Sequence, residues 1–112
     1  ADRDRLWIAE HSCGIIGCIG IVSRGDRAQL RWFLLHPDYR GIGLGMRLLN
    51  EAIAFCRKKG YKTVYLDTTD DLDKAIDMYT QAGFVKVAEK ENHTWKDNLL
   101  ELEFELGLER SK

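Results

Sequence analysis

Three glycines in five residues, Gly41, Gly43 and Gly45, stand between a β-prone run and a stretch of helical periodicity. That placement limits the folds open to the chain. A glycine-rich passage from strand into helix belongs to a crossover unit, whereas a hairpin returns at once as a second strand. Upstream, residues 28–35 are apolar and aromatic, and Pro37, which cannot donate to a ladder, follows them. Downstream, Leu48, Leu49, Ala52, Ile53 and Cys56 recur at three- and four-residue spacing and mark one helical face. Arg57, Lys58 and Lys59 complement the negative end of that helix, and Gly60 supplies a left-handed residue to end it.

Two β-prone runs, residues 6–10 and 15–22, flank His11-Ser12-Cys13-Gly14 and predict a hairpin, with a second polar turn over residues 23–27. After Gly60 comes a short β-rich run, residues 63–66. Thr69-Asp70-Asp71 then offers a cap to a second helix bearing Leu72, Ala75, Ile76 and Tyr79 and closed by Gly83. Residues 84–87 predict another strand. Leu100, Leu102, Phe104 and Leu106 alternate with Glu101, Glu103 and Glu105, which predicts a last, antiparallel strand with one buried face. The order β-β-β-α-β-α-β-β predicts an α/β (α+β) fold: a mixed, mainly antiparallel sheet with a central β-α-β crossover and helices on its faces.

The 112 residues suit one domain spanning 1–112, and 45% apolar content is enough for a core. A formal net charge of -1 gives no global positive field, so direct nucleic-acid binding is not expected. No apolar run approaches the ~20 residues of a membrane span, and the first residues lack a signal-peptide pattern, so a cytoplasmic protein without membrane contact is expected. Cys13, Cys18 and Cys56 are odd in number and form no Cys-x-x-Cys pair; they read as ordinary buried thiols, and no metal site is predicted. The chain opens Ala1-Asp2-Arg3 without an initiator methionine, which suggests a processed product or a piece of something longer.

Lacking β-carbons, Gly41, Gly43 and Gly45 let the main chain approach a ligand, and the first helical turn presents N–H groups without internal partners. Such a place attracts phosphates. There is no Gly-Lys-Ser/Thr ending, and Met46 stands where a third dinucleotide-binding glycine is expected, so neither nucleotide motif applies. On the residues alone, a phosphate cradle competes with a plain tight bend and close helix packing.

Arg40-Gly41-Ile42-Gly43-Leu44-Gly45, with its preceding strand and His-Pro step, resembles the Arg/Gln-x-x-Gly-x-Gly/Ala signature of the GNAT acetyltransferase superfamily. Ala75-Ile76-Asp77-Met78-Tyr79-Thr80-Gln81-Ala82-Gly83-Phe84 resembles the same family's Ala-x-x-x-Tyr-x-x-x-Gly-Phe segment. The resemblance covers residues 7–106. It implies acetyl-coenzyme A (acetyl-CoA) as cofactor, with Arg40 and the amides of Gly41, Ile42, Gly43, Leu44, Gly45 and Met46 holding its pyrophosphate. It implies that the backbone of Phe33, Leu34 and Leu35, on a splayed and bulged strand, pairs with the pantetheine arm. The implied activity is transfer of acetyl to a primary amine, of a small molecule or a protein, by direct attack. The Leu35 backbone N–H would hold the oxyanion and Tyr79 would stabilise or protonate the departing thiolate.

The sequence departs from the family pattern in several places. Gln29 and Arg31 stand on the strand where some relatives carry a glutamate, so no general base is legible, and His36 reads as a turn residue. Leu72 replaces an asparagine that many relatives place seven residues before the tyrosine. The usual opening strand and helices, which help wall the acceptor site, are lacking before Leu6. They are expected upstream in the native chain, or their place is taken by a neighbouring domain or a second subunit, as in a homodimer. Asp67, Asp70, Asp71 and Asp73 form an acidic cluster read mainly as helix capping, with attraction of a cationic amine as the other reading, and the three glutamates read as a solvated strand face. Trp7-Ile8-Ala9-Glu10, Leu30-Arg31-Trp32 and Thr69-Asp70-Asp71-Leu72 bring the resemblance closest to acetyltransferase halves that follow a MarR-type winged-helix regulator in one chain. That grouping adds an alternative, a non-catalytic acyl-CoA-sensing module attached to a transcriptional regulator.

Overall fold

The computed structural model describes residues 4–12, 14–39, 43–92 and 99–108. In chain order they form β1 (Arg5–His11), β2 (Gly14–Arg24), β3 (Arg27–Leu35), a 3-10 turn (Pro37–Tyr39), α1 (Leu44–Lys59), β4 (Thr63–Thr69), α2 (Asp73–Gln81), β5 (Val85–Asn92) and β6 (Leu99–Gly107). The sheet runs β1-β2-β3-β4-β6-β5 and is antiparallel at every pair except β3 with β4. This is the expected mixed, mainly antiparallel α+β class, refined in one respect. Because β6 lies between β4 and β5, the passage through α2 is a second crossover in the same direction as the first. Right-handed crossovers running the same way put α1 and α2 on the same face of the sheet.

One core results. Ile19 and Ile21 of β2, Ala28 and Leu30 of β3, Val64 and Leu66 of β4, and Leu102 and Phe104 of β6 are buried together. The register sets Ala28 beside Val64 and Leu66 beside Phe104, so these side chains share a face. Leu48, Leu49, Ala52, Ile53 and Cys56, the stripe anticipated from periodicity, pack onto it from α1, and Tyr79 packs from α2. The opposite face leaves Leu6, Ile8, Trp32 and Leu34 about half exposed or more.

Local signals explain the ends. Gly60 takes φ 82°, with Gly60 N donating to Arg57 O at 3.2 Å and Tyr61 N to Cys56 O at 3.1 Å, the paired bonds of a Schellman cap. The expected cap on α2 is corrected. The N-cap is Leu72, without a side-chain bond, because β4 runs on to Thr69 and the acidic residues beyond it are engaged elsewhere. Leu100 N donates to Asp70 Oδ1 at 3.1 Å, pinning the start of β6, and Thr69 Oγ1 donates to Asp71 Oδ1 at 2.5 Å. Asp73 does occupy the first turn of α2, where a negative charge complements the helix dipole.

Candidate functional site

β3 and β4 pair at only three positions, Arg27 with Thr63, Ala28 with Val64 and Gln29 with Tyr65. Beyond them β3 continues to Leu35 and β4 to Thr69 without pairing to each other, so the sheet opens into a V. The divergence coincides with a bulge. Cys18 is opposite Leu34 and Gly20 opposite Arg31, so Ile19 faces both Trp32 and Phe33. Trp32 takes φ 54°, a left-handed conformation that costs a residue with a β-carbon roughly 1–2 kcal/mol. Its carbonyl accepts a bond from Cys18 Sγ at 3.1 Å.

The extra residue inverts the phase of β3. Ala28 and Leu30 face the core before it, whereas afterwards Leu35 faces that side and Leu34 is exposed. Leu35 methyls would lie 2.8 Å from a β-carbon on Gly45 and 3.1 Å from one on Gly17. His36 N donates to Ile16 O at 2.8 Å, so by the alternation of an antiparallel ladder the Leu35 N–H points away from β2 and into the V. Phe33 shares that side, and Leu34 turns its main-chain groups to β2.

At the same opening stands the start of α1. Gly43 is its N-cap with φ 83° and no side-chain capping bond, and the first turn carries no acidic residue. The first helical bond runs from Arg47 N to Gly43 O at 3.0 Å, which leaves the amides of Leu44, Gly45 and Met46 without intrahelical partners. Gly43 needs to be glycine for its positive φ, with open space where a side chain would start. Gly45 is a glycine for packing: its β-carbon would collide with Leu35 and stand 3.1 Å from Met78 Cε and Sδ. The tight bend and the close helix contact are therefore both present, beside amides oriented for an anion. Arg40, Gly41 and Ile42 lie outside the described residues.

A groove of about 470 Å³ continues along α1, lined by Gly43, Met46, Arg47, Asn50, Glu51 and Ala54. Arg47 and Asn50 were not anticipated. The available signal was a basic residue in the first helical turn directly after the glycines.

Tyr79 is 7% exposed, and its ring lies among Phe33 at 6.2 Å, Phe84 at 5.9 Å and Phe104 at 6.3 Å between centroids. The contact with Phe33 brings α2 to the cleft strand. Burial pushes the hydroxyl up to about 12, so at neutral pH it remains a hydrogen-bond donor and is a poor acid. Leu72, the N-cap of α2, makes no side-chain capping bond. His36 Nδ1 accepts a bond from Asp38 N at 3.1 Å and its ring meets Tyr39, in keeping with a turn residue. His11 has only its backbone described and His93 lies outside the described residues.

The acidic cluster is not the one read along the chain. Asp67 sits opposite Glu103 on β6, and its carboxyl is pushed up by burial first, then by Glu103 and Glu101, against a lowering by Arg27. The glutamate face is only partly solvated. Arg27 binds Glu105 at 2.8 Å and Glu103 at 3.5 Å, with its guanidinium 4.0 Å from the Tyr65 ring centre.

Parallel strands thus part beside a glycine-led helix whose first turn has no side-chain cap. The ribosomal-protein-S18-alanine N-acetyltransferase of Escherichia coli superposes with a TM-score of 0.88 at 22% identity, over 100% of this chain and 74% of that one. A Bacillus anthracis protein crystallised in complex with acetyl coenzyme A superposes with a TM-score of 0.84 at 20% identity, over 95% of this chain and 63% of that one. The chain belongs to the acetyltransferase (GNAT) family, whose family model matches residues 1–84. It is 30% identical to N-acetyltransferase 8B of Homo sapiens over 96 residues, 80% of this chain and 42% of that protein. It is 34% identical over 82 residues to the uncharacterized N-acetyltransferase YjgM of Escherichia coli, 70% of this chain and 49% of that protein. The chain thus spans about half the length of these relatives. No helix among the described residues is long and apolar enough to cross a membrane.

Proposed function

We propose that the chain is a cytoplasmic N-acetyltransferase domain that moves the acetyl group of acetyl-CoA to a primary amine by direct attack. The observation that carries this reading is the coincidence of the V between β3 and β4 with the amides of Leu44, Gly45 and Met46, which have no partner within the helix. Three N–H groups at a positive helix end fit a pyrophosphate, and Arg47 on the adjoining groove adds a cation to the expected contribution of Arg40, Gly41, Ile42 and Gly43. Main-chain groups of Phe33 and Leu35 fit an extended amide-bearing arm laid into the V as an added strand.

Acetyl-CoA supplies the activated acyl group. As the amine nitrogen bonds to the thioester carbonyl carbon, negative charge grows on oxygen, and the Leu35 N–H is the donor assigned to hold it. The C–S bond then breaks. A free amine has a pKa of ~10.4 and a thiol ~8.5, so the thiolate is a competent leaving group that needs only a hydrogen bond. The Tyr79 hydroxyl, kept protonated by burial, serves as that donor. The proton of the amine passes to water.

The upstream MarR-type regulator has no counterpart in the descriptions of the relatives above. The open face carrying Leu6, Ile8, Trp32 and Leu34 is where an upstream segment or a second subunit would complete the acceptor wall. A thermal-shift titration with acetyl-CoA tests the cradle: ligand at ~100 times its dissociation constant adds roughly 2.7 kcal/mol. Release of free thiol with a panel of amines tests the transfer. Binding without release in the full-length protein favours the acyl-CoA sensor, and absence of binding removes both readings.

A further inference from the structure

We propose that the Trp32 indole is a positioning residue: seated on Gly20, it fixes the extra residue of β3 and so aims Phe33 and Leu35 into the V. The proposal rests on the acetyl-CoA reading only for its functional consequence. Gly20 is buried, and a β-carbon there would stand 2.4 Å from Trp32 Cε3 and 3.0 Å from Cζ3. The ring therefore lies directly on the backbone of β2, in space that any other residue would fill. Two further contacts bracket it: Cys18 Sγ donates to the Trp32 carbonyl, and the Arg31 guanidinium is 5.2 Å from the ring centre.

A left-handed tryptophan persists only where its surroundings over-determine it. Here the ring, the thiol and the opposing glycine do so at the one place where β3 gains a residue on β2. The side-chain period of a strand is two, so loss of that residue from the register inverts everything after it. Phe33 would leave Tyr79, Leu35 would leave Gly17 and Gly45, and the Leu35 N–H would turn from the V toward β2. Trp32 acts through the strand that follows it.

The test compares Trp32→Gly, which accepts a positive φ but has no ring, with Gly20→Ala, which keeps the ring and denies it its seat. Coenzyme A affinity by calorimetry and ring-to-ring cross-relaxation between Phe33 and Tyr79 by NMR are the readouts. Both variants are expected to lose the Phe33–Tyr79 contact. Their affinity should fall by about tenfold, the loss expected when one or two main-chain hydrogen bonds to the pantetheine arm, at ~1 kcal/mol each, are no longer made. Trp32→Phe, which keeps a ring over Gly20, should retain both. Should the first two variants fail to fold, Trp32→Phe against Trp32→Asn repeats the contrast, since asparagine tolerates the left-handed backbone without a ring. Unchanged contact and affinity in the ringless variants overturn the proposal. A wild-type chain that ignores coenzyme A removes the acetyl-CoA reading, and the ring contact alone then decides the positioning role.

Discussion

Gly45 of α1 and Met78 of α2 approach so closely that a β-carbon on the glycine would stand 3.1 Å from both the sulfur and the terminal methyl of the methionine. The same β-carbon would reach Leu35 of β3 at 2.8 Å, so one missing side chain seats the first turn of α1 against a helix and a strand at once. The amides offered to an anion are held by this contact.

Gly45→Ala should therefore destabilise the fold, though modestly. Alanine recovers up to ~1 kcal/mol of helix propensity, while overpacking typically costs ~1–3 kcal/mol. A net loss of about 1 kcal/mol in urea melts is expected, because the colliding atoms are ends of flexible side chains that can yield. Met78→Ala in the same chain should recover part of it.

Tyr79→Phe should lower turnover while leaving coenzyme affinity unchanged, since the proposed role is a hydrogen bond made as the thiolate departs. With the hydroxyl raised to about 12, the rate profile of the wild type should show no ionisation of this group between pH 7 and 10. Steady-state kinetics alongside calorimetry measures both; equal turnover in the two proteins excludes Tyr79 from the chemistry.

Alkaline stability should fall earlier than surface titration would give. Burial raises Cys56 from 9.0 to about 12 and Tyr79 from 10.0 to about 12. Between those limits the unfolded chain has lost protons that the folded chain keeps, so stability is fully present below pH 9 and is lost as pH rises toward 12. Cys56→Ala should flatten the slope between pH 9 and 11, measured as denaturant midpoint against pH.

Asp67→Asn should stabilise the fold at neutral pH. The folded state raises this carboxyl through burial and through Glu103 and Glu101, so its contribution is intact below the ordinary value of 3.8 and lost as pH rises through the folded value. The gain should vanish below about pH 4, where the unfolded carboxyl is protonated as well. Arg27→Gln should enlarge it, because Arg27 is the charge that opposes the shift. Thermal midpoints at two pH values suffice.

Much of this architecture is legible in short-range signals. The stripe from Leu48 to Cys56, the stop at Gly60 and the alternation through Leu102 and Phe104 each report a local period or a left-handed residue, and the structure follows them. What was not legible depends on partners distant in sequence. β4 extends past Leu66 because Asp67 and Thr69 find Glu103 and Glu101 on β6. Asp70 is drawn from its expected capping role by the amide of Leu100, thirty positions away. At the site, the glycine turn announced itself, but the left-handed Trp32 did not, since no propensity marks an aromatic residue for that conformation. The function of Gly45 as a packing contact likewise appears only once Leu35 and Met78 are beside it.

The place of β6 between β4 and β5 has a consequence for synthesis. Among the described residues β5 has its ladder partner in a strand translated after it, so a growing chain carries β5 without that neighbour until β6 emerges from the ribosome. Zipping β6 into that slot closes both sides of the sheet in one event, and Leu108 N then ties to Lys62 O at 2.8 Å. Until that late step β4 and β5 both display bare strand edges, a state that exposes the emerging segment to wrong pairing.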